Sequence, residues 1–175
     1  NLKIWIKPYI GGEEFINNKK RYCLWLLDVQ PQELKKSKVL IDILEKVKHS
    51  RLASPTPSVK VNANTPALFT QIRQPNTNYL VIPEVSSENR FYIPIGYLDK
   101  NTIGSNKLQI VPNASLFLFG ILQSLMHMSW TRTVCGRLKS DYSYSPSVYN
   151  NFPFPENSTE KQKKVIEEKA LNVLD

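Results

Sequence analysis

Lys139 and Asp141 stand two residues apart in the polar run Gly136-Arg137-Leu138-Lys139-Ser140-Asp141-Tyr142-Ser143-Tyr144-Ser145. A lysine ammonium only donates hydrogen bonds, and an ionised aspartate only accepts them. Together they match the major-groove edge of one G·C pair: lysine donates to guanine O6 and N7, and aspartate accepts from cytosine N4. On an extended segment, residues two apart project to the same side, so both groups would face one partner. Arg132, Arg137, Ser140, Tyr142, Tyr144 and Ser145 surround the pair with guanidinium and hydroxyl groups that could reach phosphates and fix register. The competing reading is a surface salt bridge between Lys139 and Asp141, with tyrosines that carry no function.

Such a segment needs a rigid support. The most apolar run of the chain, Asn113 to Trp130 (NASLFLFGILQSLMHMSW), precedes it, and an aromatic, proline-rich stop, Val148 to Pro155 (VYNNFPFP), follows it. The run predicts one long buried helix over about 113–130, capped by Asn113. Leu118, Leu122 and Leu125 mark one face, while Phe117, Phe119, Ile121 and Met126 cover much of the rest. Gly120 would allow close packing there. His127, between two methionines, reads as a packed histidine rather than a ligand.

Upstream, Leu2, Ile4 and Ile6 alternate with polar or amphipathic residues, which predicts a strand ended by Pro8. Gly11-Gly12 makes a turn, residues 13–18 a polar connector, and Arg21 to Val29 a buried strand. Pro31 opens a helix with Leu34, Ile41, Leu44 and Val47 at helical spacing and Leu40 beside them. Its other face carries Lys35, Lys36, Lys38, Lys46 and Lys48. Glu33, Asp42 and Glu45 dilute that charge and favour a solvated face over a phosphate-tracking one. Residues 50–66 read as a long loop. Strands are predicted at 67–73, 79–84, 90–95 and 108–111, separated by short polar turns. The fold class is therefore α+β, a twisted, mainly antiparallel sheet with flanking helices. After Pro155, Thr159 and Gln162 fit a capping box, and Val165, Ile166, Leu171 and Leu174 give a helical stripe. Residues 1–156 then form one domain. Residues 157–175 begin a helical module outside its core.

Lys and Arg outnumber Asp and Glu by 23 to 15, for a net charge of +8 over 175 residues, which suits a polyanionic partner. Cys23 and Cys135 sit far apart in apolar surroundings and read as reduced, buried thiols of a cytoplasmic protein. No CxxC or His cluster offers a zinc site, and the longest apolar run is too broken by Gln123, Ser124 and His127 for a membrane span. A phosphate loop, a GxSxG elbow and a Cys with a His partner are all missing. The segment reads as one that binds and does not catalyse, cut from a longer protein, since it starts at Asn1 without Met.

The pieces KPYIGGEEFINN, RYCLWL, HMSWTRTVCGRLKSDYSYS and YNNFPFP carry a resemblance that spans about residues 5–156. They resemble the target recognition domain of MmeI-like DNA methyltransferases, the single-chain restriction-modification enzymes. The resemblance implies sequence-specific recognition of double-stranded DNA. It implies a parent chain in which other modules carry an endonuclease and an adenine-N6 methyltransferase, with S-adenosylmethionine and Mg held there and no cofactor in this piece. The partners it implies are duplex DNA and the methyltransferase module of the same chain, with no membrane. The methylase motif of Asn-Pro-Pro-Tyr type is missing here, as an isolated recognition domain requires. The family's base-reading positions fall on Lys139 and Asp141, on either side of Ser140, and then on Ser143 and Lys107. Two other classes compete. One is a protein-interaction or scaffolding domain that docks through Phe152 to Pro155 and the final helix. The other is an accessory RNA-binding domain of an RNA-modifying enzyme, since aromatic and basic residues together also suit single strands.

Overall fold

The computed structural model describes residues 2–174. Leu2–Trp5 forms a single 3-10 turn, and strand β1 runs Ile6–Ile10 with Pro8 inside it, whereas the sequence suggests a strand that Pro8 ends. The proline is tolerated because parallel pairing with Ile103–Gly104 begins at Tyr9 and asks no N–H of residue 8. The expected polar connector is a helix, α1 (Gly12–Asn17). Glu14 closes its first turn. Its buried carboxylate accepts from the Gly11 N–H at 2.8 Å and pairs with Arg21 Nε at 3.1 Å. A Cβ at Gly11 would lie 2.7 Å from that carboxylate, so a larger residue there would displace it.

The chain groups into two compact units: the chain up to Lys7 with Cys23–Arg73, and Pro8–Tyr22 with the chain from Gln74 onward. Strand β2 is only Tyr22–Leu24, because a turn at Leu27-Asp28 ends the apolar run that predicts a strand to Val29. The helix expected from Pro31 is two, α2 (Pro31–Lys35) and α3 (Lys38–Ala53). Ser37 divides them: its Oγ accepts from the Leu40 N–H at 3.3 Å and caps α3. Leu40 is buried, with Leu44 and Val47 half-buried on the same face. Lys38 and Lys46 are exposed on α3, Lys48 is half-buried there, and Lys35 and Lys36 are exposed at the end of α2. A short helix, α4 (Pro57–Val61), occupies part of the expected loop. The Arg51 guanidinium donates to the carbonyls of Asn62, Thr65 and Leu68 at 2.7, 2.9 and 2.7 Å. Those carbonyls are thereby satisfied without a strand partner, and the strand expected at 67–73 does not form.

The second unit is built on β3 (Tyr79–Pro83), buried at every position. Its side chains alternate between two clusters, as the pleat requires. Leu80 and Ile82 join Phe119, Leu122, Met128 and Tyr144, and Tyr79 and Val81 join Leu108 with Ile10 and Phe15. The chain continues through β4 (Val85–Ser86), β5 (Gly96–Leu98), β6 (Ile103–Gly104) and β7 (Leu108–Pro112). The strand expected at 90–95 does not form at those residues. Pro94 cannot donate to a ladder, so Ile93 and Ile95 are buried as core residues and pairing begins at Gly96. Among the described residues the expected single sheet is three small ones, ordered β2-β1-β6, β5-β3-β7, and β4 with a later hairpin; the β3 pairs and the β4 pair are antiparallel and β1–β6 is parallel. The α+β class holds.

The long helix is also two, α5 (Leu116–Leu122) and α6 (Leu125–Val134). Ser115, not Asn113, caps the first, and Ser124 caps the second by accepting from the His127 N–H at 3.2 Å. The restart rotates the register. An unbroken helix with Phe119 and Leu122 inward would bury Leu125 and Met126, three and four residues on. Instead these two are exposed, and His127, Met128 and Thr131 are buried. After the hairpin come α7 (Pro146–Asn150) and α8 (Glu160–Leu174). Thr159 and Gln162 form the expected capping box of α8. The helix does not lie outside the core: Ala170 is buried in the main cluster. Gly120 permits this approach, since a Cβ there would lie 2.6 Å from Ile166 Cγ2 and 3.3 Å from the Ile166 carbonyl. Replacing Gly120 by Val should therefore cost about 1–3 kcal/mol in urea unfolding, and Ile166→Ala should restore part of it.

Candidate nucleic-acid interface

The segment that carries the donor and acceptor folds as a β-hairpin, β8 (Gly136–Leu138) and β9 (Asp141–Ser143), joined by the two-residue turn Lys139-Ser140. Lys139 takes φ 57°, a left-handed conformation that no glycine relieves. For a residue with a Cβ this costs roughly 1 kcal/mol. The expected extended geometry is thus corrected: the turn interrupts the alternation that would set Lys139 and Asp141 on one side. Lys139 instead stands exposed at the tip, and Asp141 begins the strand that leaves it. Among the described residues no ion pair joins the two. One Asp141 oxygen accepts from the Glu88 N–H at 3.3 Å, and its other oxygen has no donor among the described residues.

Alternation along β9 separates two roles. Asp141 and Ser143 share the half-exposed face, while Tyr142 and Tyr144 are 4% and 1% exposed on the other. The phosphate-reaching role that the sequence suggests for these tyrosines does not fit, because both side chains point into the core. The Tyr144 hydroxyl lies 2.9 Å from His127 Nε2. Tyr142 lies under the Arg137 guanidinium, 4.0 Å from ring centroid to carbon. Arg137 also donates to the Ser140 carbonyl at 3.0 Å, so it braces the turn while staying exposed. Arg132, at the end of α6, is exposed and donates to the Phe91 carbonyl at 3.3 Å. Ser140 is exposed in the turn; Ser145 bonds Ser147 at the start of α7.

Lys107 is brought to the same place by the sheets. The Glu84 N–H bonds the Lys107 carbonyl at 3.0 Å, and the Glu84 carbonyl accepts from the Tyr144 N–H at 2.7 Å. Val85 then pairs with Ser143, and Ser143 with Gly136. Backbone hydrogen bonds through Glu84 therefore link Lys107 to the strand that carries Ser143 and Asp141, and Lys139 stands in the turn beyond that strand. Lys107 Nζ pairs with the Glu84 carboxylate at 3.0 Å, a partner that sequence reasoning missed. The sign for it is an acidic residue directly after a fully apolar strand. A cleft of about 430 Å³ opens beside this pair, lined also by Glu14, Arg21 and Ser105.

The support beneath the hairpin is aromatic. Phe152 packs edge-on against His127 at 5.1 Å and against Phe154 at 4.9 Å, and Trp130 Nε1 donates to the Val148 carbonyl at 2.9 Å. The Phe-Pro-Phe-Pro stop thus turns Phe152 inward, which leaves less of it for docking. Burial drives the His127 pKa down from 6.5 to about 4, against a bond to the Leu122 backbone that favours the charged ring. The unfolded chain therefore binds a proton between pH 6.5 and 4 that the native one refuses. Stability from this group is complete above pH 6.5 and is lost as pH falls towards 4, by roughly 3 kcal/mol. Thermal unfolding across that window should show the slope, and His127→Gln should lack it.

Residues 1–156 match the family described as MmeI, target recognition domain. The chain belongs to that family. This target recognition domain is 43% identical to DNA methyltransferase A of Bacillus subtilis (strain 168) over 173 residues, which is 98% of the chain and 20% of that protein. It is also similar to the type IIL restriction-modification enzyme MmeI, solved in complex with DNA, at 45% identity and a TM-score of 0.95. That match covers 99% of this chain and 23% of the MmeI chain. The domain spans about a fifth of the length of both. Among the described residues no helix is long and apolar enough to cross a membrane, and no three His, Cys, Asp or Glu side chains come together as a metal would require.

Proposed function

We propose that this target recognition domain reads the base sequence of double-stranded DNA through the tip and outer face of the β8–β9 hairpin. A two-stranded ribbon fits the major groove of B-DNA. The observation that carries the reading is the hairpin itself. It offers an exposed lysine held at a costly φ and a carboxylate with a free oxygen, in a chain 45% identical to an enzyme solved with DNA. Strain kept at an exposed tip points to use of that geometry. Lys139, Asp141, Ser143 and Lys107 are the base-reading residues on this proposal, and Arg132, Arg137, Ser140 and Ser145 hold phosphates.

The parent protein would be a cytoplasmic restriction-modification enzyme that methylates adenine N6 and cleaves DNA. S-adenosylmethionine and Mg would be held by its other modules. The methyltransferase module would supply the adenine chemistry, and this domain would choose the site. Arg132→Gln and Arg137→Gln should each weaken binding to all duplex sequences alike. Each should lower the slope of log affinity against log salt by about one, measured on the full-length protein. An unchanged slope in both, or tighter binding to single strands than to duplex, would count against the reading.

A further inference from the structure

Resting on that reading, we infer that Phe91 is a further base-contacting residue, which packs against C5 of a pyrimidine next to the pair read through Asp141. Strand β4 pairs with β9 and then releases the segment Ser87–Tyr92 alongside the hairpin. The segment is held rather than loose. The Arg90 N–H bonds the Ser87 carbonyl at 3.2 Å, and the Asn89 N–H bonds Ser87 Oγ at 3.3 Å. Glu88 N donates to Asp141, and the Phe91 carbonyl accepts from Arg132. Beyond Tyr92, Ile93 is 2% exposed and anchors the exit in the core.

This braced turn presents Phe91 at 83% exposure. Water is a poor environment for a phenyl ring, and a turn tied at both ends does not let it fold away. Its ties name the neighbour: one is the proposed base-reading carboxylate and the other a proposed phosphate-holding arginine. A duplex that meets Asp141 and Arg132 together would run past Phe91. In the major groove the apolar feature of a base edge is the pyrimidine C5 position, a methyl group in thymine, and phenylalanine is one of the side chains that contact it. Arg90, next to it in the chain, is also exposed.

The test is a C5-methyl scan with the full-length protein. Each thymine of the recognised duplex and its flanks is replaced by uracil, and each cytosine by 5-methylcytosine. We expect affinity to change two- to tenfold at one pyrimidine adjacent to the pair assigned to Lys139 and Asp141. Phe91→Ala should remove that sensitivity and leave the melting temperature unchanged. A flat scan, or the same sensitivity in Phe91→Ala, would overturn the inference. So would a flat scan with a lowered melting temperature in Phe91→Ala, which would assign the ring to a contact with another module. Loss of all sequence preference in the unsubstituted protein would instead overturn the base-reading proposal itself.

Discussion

Tyr144→Ala should lower the stability of the chain by roughly 3–5 kcal/mol in urea unfolding, because it empties the space of a large, fully buried aromatic. Tyr144 is 1% exposed in the main cluster with Phe119 and Leu122, and its hydroxyl bonds His127. Tyr144→Phe keeps the ring and removes that bond. It should cost about 1–2 kcal/mol, the price of leaving a buried imidazole nitrogen without its partner. Neither stability loss is expected of a tyrosine that reaches a phosphate. Such a residue would lose affinity for every duplex sequence in the phenylalanine variant and no stability. We expect the reverse, a less stable Tyr144→Phe with the DNA affinity of the unsubstituted protein.

The same alternation that buries Tyr144 explains how far the sequence could be followed. β3 and β7 are legible because their apolar runs are short, dense and bounded by turn residues, and β3 is covered on both faces. Gly120, His127 and the capping box at Thr159 are legible because each rests on a local rule. What could not be read depends on contacts between distant residues. Ser37 and Ser124 interrupt apolar helical patterns, and periodicity alone does not say whether a serine caps or continues a helix. Arg51 reaches across the chain to the Leu68 carbonyl, inside the stretch 67–73 whose residue types predict a strand.

At the site, Lys139 and Asp141 were recognisable by their chemistry, but the turn between them was not. Leu138-Lys139-Ser140-Asp141 lacks the glycine or asparagine that normally marks a two-residue hairpin turn. The same positive φ that hides the turn supports a role for Lys139. Tyr142 looks like a phosphate ligand in the sequence because its hydroxyl lies beside a basic segment, and only the register of β9 turns it inward.

Exchanging the chemistry of the two hairpin residues should invert one base pair of the recognised sequence. In Lys139→Glu with Asp141→Arg, glutamate accepts from cytosine N4 and arginine donates to guanine O6 and N7. Glutamate has no greater difficulty than lysine with the positive φ at residue 139, so the turn should survive. Arginine at 141 gives up the bond from Glu88 N, a solvent-accessible contact at 3.3 Å. Each single substitution should cost roughly 1–3 kcal/mol of discrimination, since it leaves a base edge or a charge without a partner. The pair together should recover activity on the new site. If residues 139 and 141 served only surface packing or charge balance, reversing both would leave specificity alone.

The most direct measurement is therefore sequencing of the methylated sites in DNA from cells that carry the full-length enzyme with both substitutions. The account predicts C in place of G at one position of the site, with every other position unchanged. An active double variant that still methylates the original sequence would contradict the assignment of Lys139 and Asp141 as base readers.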